Sequence, residues 1–441
     1  MPSIFGTSGF RFSFPGTLDL DTLVHLASSL YLSFPDVGGV VIGRDNRRTS
    51  DPLFAVLSSL LSSVGFRVYD AGVVPLPVLA FSSMSGEHGL GVMITASHNP
   101  PNYNGIKVFK GGWELTREEE NRVTELMGRP TSLGQPRVSE RVDALGDYLE
   151  KLSSQLGKHQ AKKVLVDAGN GTAVAVTPDL VRRAGGNVLC VNCVGSGFFP
   201  GRLPEPNPLN LRDTLSLARE GRVDLGIAHD CDADRVAVFN GRGEFLSQTR
   251  ILAYFFAKKL KSKRSGKMIT TVDVGMAVDD IAVRYGGEVI RTRLGGSHEL
   301  AMKDSGVVLF GEPWKVMDPD WGPWADGIRV AVKLSEDVMD DGDVDTVLRE
   351  VPDYPSLRED FAFKKWDQGL LESRALSVFE GAELENYDGV KLKFDDGWVL
   401  FRRSGTEEKI RLYAEHRSAD GLRELRKKAI SLLTDLGFVA T

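Results

Sequence analysis

Short apolar runs bounded by glycine, proline and asparagine alternate along the chain with longer stretches in which apolar side chains recur at helical spacing. The runs Val40–Ile42, Gly91–Ile94, Gly105–Phe109, Val164–Val166, Leu225–Ala228, Met268–Thr271 and Val307–Phe310 predict buried strands. The periodic stretches near 19–34, 51–64, 118–127, 142–156, 176–185, 211–220, 248–262 and 297–304 predict helices. This alternation persists through roughly the first 350 residues, which is the pattern of α/β domains. Beyond Val351–Pro355 the texture changes. Val390–Phe394 and Trp398–Arg402 flank Asp395-Asp396-Gly397, a hairpin signal, and the strand-like Lys409–Tyr413 precedes a basic amphipathic stretch near 420–434. The loop 128–136, the turn Asn240–Gly243 and the segment Val351–Pro355 mark boundaries, so the predicted domains are 1–147, 148–246, 247–352 and 353–441. No repeat is visible in the sequence itself.

A chain of 441 residues is too long for one core, and 42% hydrophobic with 26% charged residues is the balance of a globular protein with large interiors. The net charge of -6 argues against a general nucleic-acid partner, so an anionic substrate must be held by local basic loops. The first residues carry neither a basic nor an apolar targeting segment, and no run approaches membrane-spanning length. The expectation is a cytoplasmic protein without a membrane partner. Three cysteines exclude a disulfide scaffold. Cys190 and Cys193 have the spacing of half a zinc site, but with no second pair they read as a strand end.

Three loops carry candidate chemistry. Thr95-Ala96-Ser97-His98-Asn99-Pro100 presents a serine at a turn between two strands, where either a nucleophile or a capping hydroxyl belongs. His229-Asp230-Cys231-Asp232-Ala233-Asp234-Arg235 follows an apolar run. Its alternate carboxylates either converge on one hard divalent cation or form a solvated acidic turn. An EF-hand is excluded, because Arg235 and Gly241 stand where that loop needs glycine and glutamate. A phosphatase with an aspartate nucleophile is disfavoured by Asp234, and all-oxygen donors favour Mg²⁺. Arg402-Arg403-Ser404-Gly405-Thr406-Glu407-Glu408 combines guanidinium, hydroxyls and glycine, which suit a phosphate nest or a polar turn. A serine, a carboxylate cage and a distant phosphate nest together suggest phosphoryl transfer. No nucleotide-binding P-loop or protein-kinase signature is present.

The chain resembles the α-D-phosphohexomutase superfamily of phosphoglucomutases, phosphomannomutases and phosphoglucosamine mutases. TASHNP at 95–100 resembles its phosphoserine loop, HDCDADR at 229–235 its metal loop and RRSGTEE at 402–408 its phosphate loop. FGTSGFR at 5–11, GRDNR at 43–47, NGIK at 104–107, FPGRLPEPNP at 199–208 and DGVK at 388–391 extend the likeness across the chain. The resemblance implies an α/β fold of three related mixed α/β domains plus a smaller C-terminal α+β domain around a central cleft. It implies phosphorylation of Ser97, Mg²⁺ held by Asp230, Asp232, Asp234 and a Ser97 phosphate oxygen, and Arg235 stabilising the transferring phosphoryl. Arg11 and His98 are expected near the phosphoserine, and Lys107 is the candidate acid/base, or else an electrostatic clamp. Arg402, Ser404, Gly405 and Thr406 are expected to bind the substrate's other phosphate.

The activity so implied is that of a sugar-phosphate mutase. It moves a phosphoryl group between the 1-position and terminal hydroxyl of a hexose phosphate, through a sugar bisphosphate that also serves as activator. The substrate expectation is glucose or mannose phosphate, with glucosamine or pentose phosphate as alternatives. A serine-dependent sugar phosphatase and a sugar-phosphate-binding protein are the non-mutase alternatives. The sequence departs from the family at the sugar loop, usually Gly-Glu-x-Ser-Gly, which here reads Gly311-Glu312-Pro313-Trp314-Lys315. Glu312 retains a carboxylate for sugar hydroxyls. Trp314 and Lys315 are candidate substrate contacts, and Trp321 and Trp324 suit either recognition or packing. Cys231 stands where the metal loop usually has glycine, and Arg403 and Glu408 replace prolines.

Overall fold

The computed structural model describes residues 5–6, 9–16, 18–129, 131–363, 366–404 and 408–440. They form two compact units, one of residues 1–246 and 314–349, the other of 247–313 and 350–441. The predicted strands and helices are present, with ends shifted by a few residues. Local chemistry explains the ends. Asp19 caps the helix Leu20–Ser33 by accepting from Thr22 N–H at 2.7 Å. Thr116 and Glu119 form a reciprocal capping box at the helix Arg117–Leu126.

Four sheets organise the described residues. In the first unit, strand Gly39–Arg44 lies between the parallel strands Arg67–Val73 and Leu90–Ile94. Strand Lys163–Asp167 lies in the same way between Asn187–Val191 and Leu225–His229. In the second unit, Gly266–Thr271 lies between Gly287–Thr292 and Val307–Glu312, again parallel. Three stretches with no visible sequence repeat thus share one strand order, in which the first strand separates the second from the third. Antiparallel strands close the first two sheets: Tyr103–Lys110 pairs with Leu90–Ile94, and Val236–Phe239 with Leu225–His229.

The fourth sheet is antiparallel around Gly397–Arg403, and the predicted hairpin pairs Phe394 with Gly397 across Asp395-Asp396. The helix Ala419–Asp435 covers it through Leu425, Ala429, Leu432 and Leu433. The structure also contains helices Leu76–Ser82, Ala277–Tyr285, Gly327–Asp341 and Gln368–Val378, which hydrophobic periodicity left unpredicted. Gly327–Asp341 buries Ile328, Val330, Ala331, Val332 and Leu334 and keeps Arg329, Lys333, Asp337 and Asp340 along one less buried stripe, so its amphipathic pattern was present in the sequence but not read. No helix among the described residues is long and apolar enough to cross a membrane.

Within the second unit two buried ionisable side chains hold backbone groups. Lys391 donates to Val272 C=O at 2.6 Å, and Glu415 accepts from Met276 N–H at 2.6 Å. Burial raises the Glu415 carboxyl from its ordinary 4.5 to about 7. Between these values the folded protein keeps a proton that the unfolded chain has released, so the Glu415 contribution to stability falls as pH rises across that window. Burial, and then Arg291, lowers the Lys391 ammonium from 10.5 to about 7, so its contribution rises with pH above about 7. Glu415→Gln is therefore expected to flatten the fall in thermal stability between about pH 5 and 7, measured by calorimetry across that range.

Candidate active site

The serine loop, the aspartate loop and the loop at Glu312 occupy equivalent places in the first three sheets. Ser97 follows Leu90–Ile94, the aspartates follow Leu225–His229, and Glu312 ends Val307–Glu312. Each lies at the C-terminal end of the third in sequence of the parallel strands of its sheet, where α/β folds present ligand-binding loops.

The fully buried strand Leu90–Ile94 delivers the serine loop, and Thr95 N–H pairs with Gly105 C=O at 2.9 Å. Ser97 then adopts φ +49, a left-handed conformation that a non-glycine residue holds only when its surroundings fix it. Thr95 Oγ1 accepts from Ser97 N–H at 2.9 Å. The buried Arg47 supplies most of the remaining support: its guanidinium donates to the carbonyls of Ser97, Asn99, Pro100 and Tyr103 at 2.6–2.9 Å. Asp45 in turn accepts from Arg47 Nε at 3.1 Å and from the Cys231 thiol at 3.3 Å. His98 Nδ1 lies 3.4 Å from Ser97 Oγ, and Arg11 donates to the Asn99 side chain of the same loop.

The aspartate loop leaves its strand at His229, whose carbonyl is held by Arg202 Nη2 at 2.6 Å. Arg202 also pairs with buried Asp167 at 3.0 Å. Gly171 lets another segment pass close by, since a Cβ there would come within 2.4 Å of Cys231 C=O. Removing one partner of a buried ion pair leaves the other unsatisfied. Arg202→Met should thus cost about 3–5 kcal/mol of stability in chemical denaturation and loosen the loop.

Asp230, Asp232 and Asp234 are fully buried, and each offers one carboxylate oxygen within 4.8 Å of the others. Ser97 Oγ donates to Asp230 Oδ2 at 2.7 Å, so serine loop and aspartate loop meet directly. Lys107, on Tyr103–Lys110, places its Nζ 3.3 Å from Asp232 Oδ2 and 3.0 Å from Asp234 Oδ2. Lys315 joins them at 3.3 Å from Asp234 Oδ2, and Arg235 Nε lies 4.0 Å from both Asp230 and Asp234. Burial, and then the Asp232 and Asp234 charges, push the Asp230 carboxyl well above its usual range. Burial acts the same way on Asp234, but Lys107, Lys315 and Arg235 overcome it and hold that carboxyl below its usual range. Burial, with Arg235 and Arg11, holds the His98 imidazole far below its usual value, so it is neutral.

This donor set fits a hard divalent cation. Three carboxylates converge, and Asp232 Oδ1 and Asp234 Oδ1 are buried with no hydrogen-bond partner among the described residues. The other predicted site residues have partners of their own. Glu312 accepts from Gly295 N–H at 3.3 Å, and Arg402 Nε donates to Asp388 at 2.9 Å, both in the second unit. Ser404 N–H bonds Lys409 C=O at 2.8 Å, whereas Gly405 and Thr406 lie outside the described residues. Trp314 packs on Phe245, ring centroids 5.6 Å apart, against the core of the second sheet. Trp321 and Trp324 are buried packing residues whose indole N–H groups donate to Asp326. Lys315, a candidate substrate contact in the sequence, has its ammonium against Asp234. The bracing roles of Arg47, Asp45 and Arg202 were not legible, although their motifs GRDNR and FPGRLPEPNP stood out in the sequence.

A buried serine facing a carboxylate cage, with three cations around it, is a centre for phosphoryl chemistry. Known proteins make the class specific. Residues 2–133 match the model of phosphoglucomutase/phosphomannomutase α/β/α domain I, 145–243 that of domain II and 366–431 that of the C-terminal domain. A probable phosphoglucosamine mutase of Methanopyrus kandleri is 35% identical over 98% of both chains. A phosphopentomutase of Thermococcus kodakarensis is 34% identical over 98% of both. A crystal structure of a phosphoglucomutase/phosphomannomutase family protein from Burkholderia thailandensis superposes with TM-score 0.87 at 25% identity, covering 98% of this chain and 97% of that one. The chain belongs to the phosphoglucomutase/phosphomannomutase family of the α-D-phosphohexomutase superfamily, and is thus an intramolecular phosphotransferase of the isomerase class. The resemblance read from its motifs, and the mixed α/β fold it implied, are borne out.

Proposed function

We propose that the protein carries its reactive phosphate on Ser97 and moves a phosphoryl group between the 1-position and the terminal hydroxyl of glucosamine phosphate, through a sugar bisphosphate. The observation that carries the reading is the 2.7 Å contact between Ser97 Oγ and Asp230, inside a cage of three carboxylates flanked by Lys107, Lys315 and Arg235. Asp230, Asp232 and Asp234, with a Ser97 phosphate oxygen, would hold Mg²⁺, which when bound supplies charge neutralisation at the transferring group.

The chain's own residues do the rest. Arg47 and Thr95 fix the serine backbone so that its oxygen points into the cage. Arg235 and Arg11 supply fixed positive charge for a phosphoryl in a loose transition state. Lys107 is the candidate proton carrier for the sugar hydroxyl and, as an ammonium between two aspartates, an electrostatic clamp. Neutral His98 offers a hydrogen bond rather than a charge beside the serine. Glu312 accepts from sugar hydroxyls, and the Arg402–Thr406 loop takes the phosphate that is not being transferred. This division of labour follows the domain bounds 1–147, 148–246, 247–352 and 353–441.

Glucosamine phosphate replaces glucose or mannose phosphate as first choice because the relative from Methanopyrus kandleri, similar over nearly the whole chain, is named for it. Pentose phosphate is the second reading, supported by the equally similar phosphopentomutase. The test is ³¹P NMR of the protein with Mg²⁺, a trace of bisphosphate and a panel of 1-phosphosugars. Isomerisation fastest with glucosamine 1-phosphate is expected. Fastest turnover of ribose 1-phosphate would establish the second reading, and release of free phosphate without isomers would overturn the mutase mechanism.

A further inference from the structure

The DGVK motif at 388–391 has no part in the chemistry derived so far, yet its first residue joins two elements of the second unit. Asp388 accepts from Arg402 Nε at 2.9 Å through one oxygen and from Leu294 N–H at 2.7 Å through the other. Both side chains of the ion pair are largely shielded, at 16% and 14% exposure. The contact is built in: Gly389 has φ +96, and a Cβ there would lie 2.6 Å from Phe401 C=O and 3.1 Å from Arg402 Cα. The chain at Asp388 therefore runs directly against the strand that carries Arg402. On the other side, consecutive peptide N–H groups, of Leu294 and Gly295, serve Asp388 and Glu312 respectively.

A guanidinium holds a phosphate best through its planar terminal fork, and a carboxylate on Nε fixes that plane without occupying the fork. No described residue accepts a hydrogen bond from Nη1 or Nη2 of Arg402. We propose that Asp388 is a positioning residue that aims the Arg402 fork at the substrate's non-transferring phosphate and, through the Leu294–Gly295 loop, couples that anchor to the sugar contact at Glu312. This rests on Arg402 as phosphate anchor.

The test is steady-state kinetics of the full chain with Mg²⁺, bisphosphate and the best 1-phosphosugar, for Asp388→Ala, Asp388→Asn, Arg402→Ala and the Asp388→Ala/Arg402→Ala pair, with melting temperatures recorded. Loss of aim weakens binding of ground state and transition state alike, so Asp388→Ala should raise KM roughly tenfold while kcat changes by less than about threefold. Asp388→Asn, which keeps one acceptor oxygen, should fall between, and it carries the test if the alanine variant does not fold. The pair should be no worse than Arg402→Ala alone, since Asp388 acts through that arginine. A raised KM for Arg402→Ala with unchanged KM for both Asp388 variants would overturn the proposal and leave the phosphate anchor standing. A normal KM for Arg402→Ala would overturn the anchor itself. A lowered melting temperature with no KM shift, or additive effects in the pair, would reduce Asp388 to a structural link.

Discussion

Ser97→Ala is expected to abolish phosphate uptake by the protein and to lower mutase turnover by roughly a thousandfold or more, about 4 kcal/mol of transition-state stabilisation. The magnitude follows from the proposed role of Ser97 as phosphate carrier: among the described residues no other hydroxyl meets Asp230 as Ser97 Oγ does at 2.7 Å. The fold should survive, because the loop is held by Arg47 through backbone carbonyls and by Thr95 through a backbone N–H, none of which needs the serine hydroxyl. Intact-mass analysis after incubation with glucose 1,6-bisphosphate, together with a coupled turnover assay, checks both halves. A variant that still gains one phosphate and turns over at the normal rate would place the carrier elsewhere.

Asp230→Asn separates stability from activity. The Asp230 carboxylate is disfavoured in the folded state by burial and by its two acidic neighbours, so replacing it with a neutral isostere relieves repulsion in the metal-free protein. The metal-free variant should melt a few degrees above the parent at neutral pH. Its turnover should fall by about a hundredfold or more, because the cage loses a charged ligand and Ser97 its charged acceptor. Added Mg²⁺ should stabilise the parent by about 2.7 kcal/mol at a hundred times its dissociation constant, and the variant by much less. Calorimetry with and without Mg²⁺ reads both effects. A variant less stable than the parent without metal would show that the cations around the cage outweigh the acidic repulsion.

Much of this chemistry is local and therefore legible. TASHNP, the alternating aspartates and RRSGTEE each place reactive groups within a few residues of one another, and flanking apolar runs locate them at strand ends. Lys107 was reached only through the resemblance of NGIK to the family, although its strand begins just after the serine loop. The place of Lys315 was not legible. Its sequence neighbours are Glu312 and Trp314, yet its ammonium lies against Asp234, a contact between residues about eighty positions apart that no local pattern encodes. Arg47 and Arg202 escaped because the loop carbonyls they hold are backbone groups, which every residue possesses, and a carboxylate partner such as Asp45 or Asp167 does not reveal them.

Sequence by itself determined the reaction class, since nucleophile, cage and phosphate nest are each short loops with distinctive side chains, and it determined the mixed α/β fold through the alternation of apolar runs. Only the tertiary structure decided that Ser97 and Asp230 touch, that Lys107 and Lys315 share one carboxylate, and that three stretches without a sequence repeat use one strand order with the serine loop, the aspartate loop and the loop at Glu312 at equivalent strand ends. The physical reason is that strand order and long-range charge pairing are set by how whole elements bury their apolar faces against each other, and many sequences satisfy the same burial.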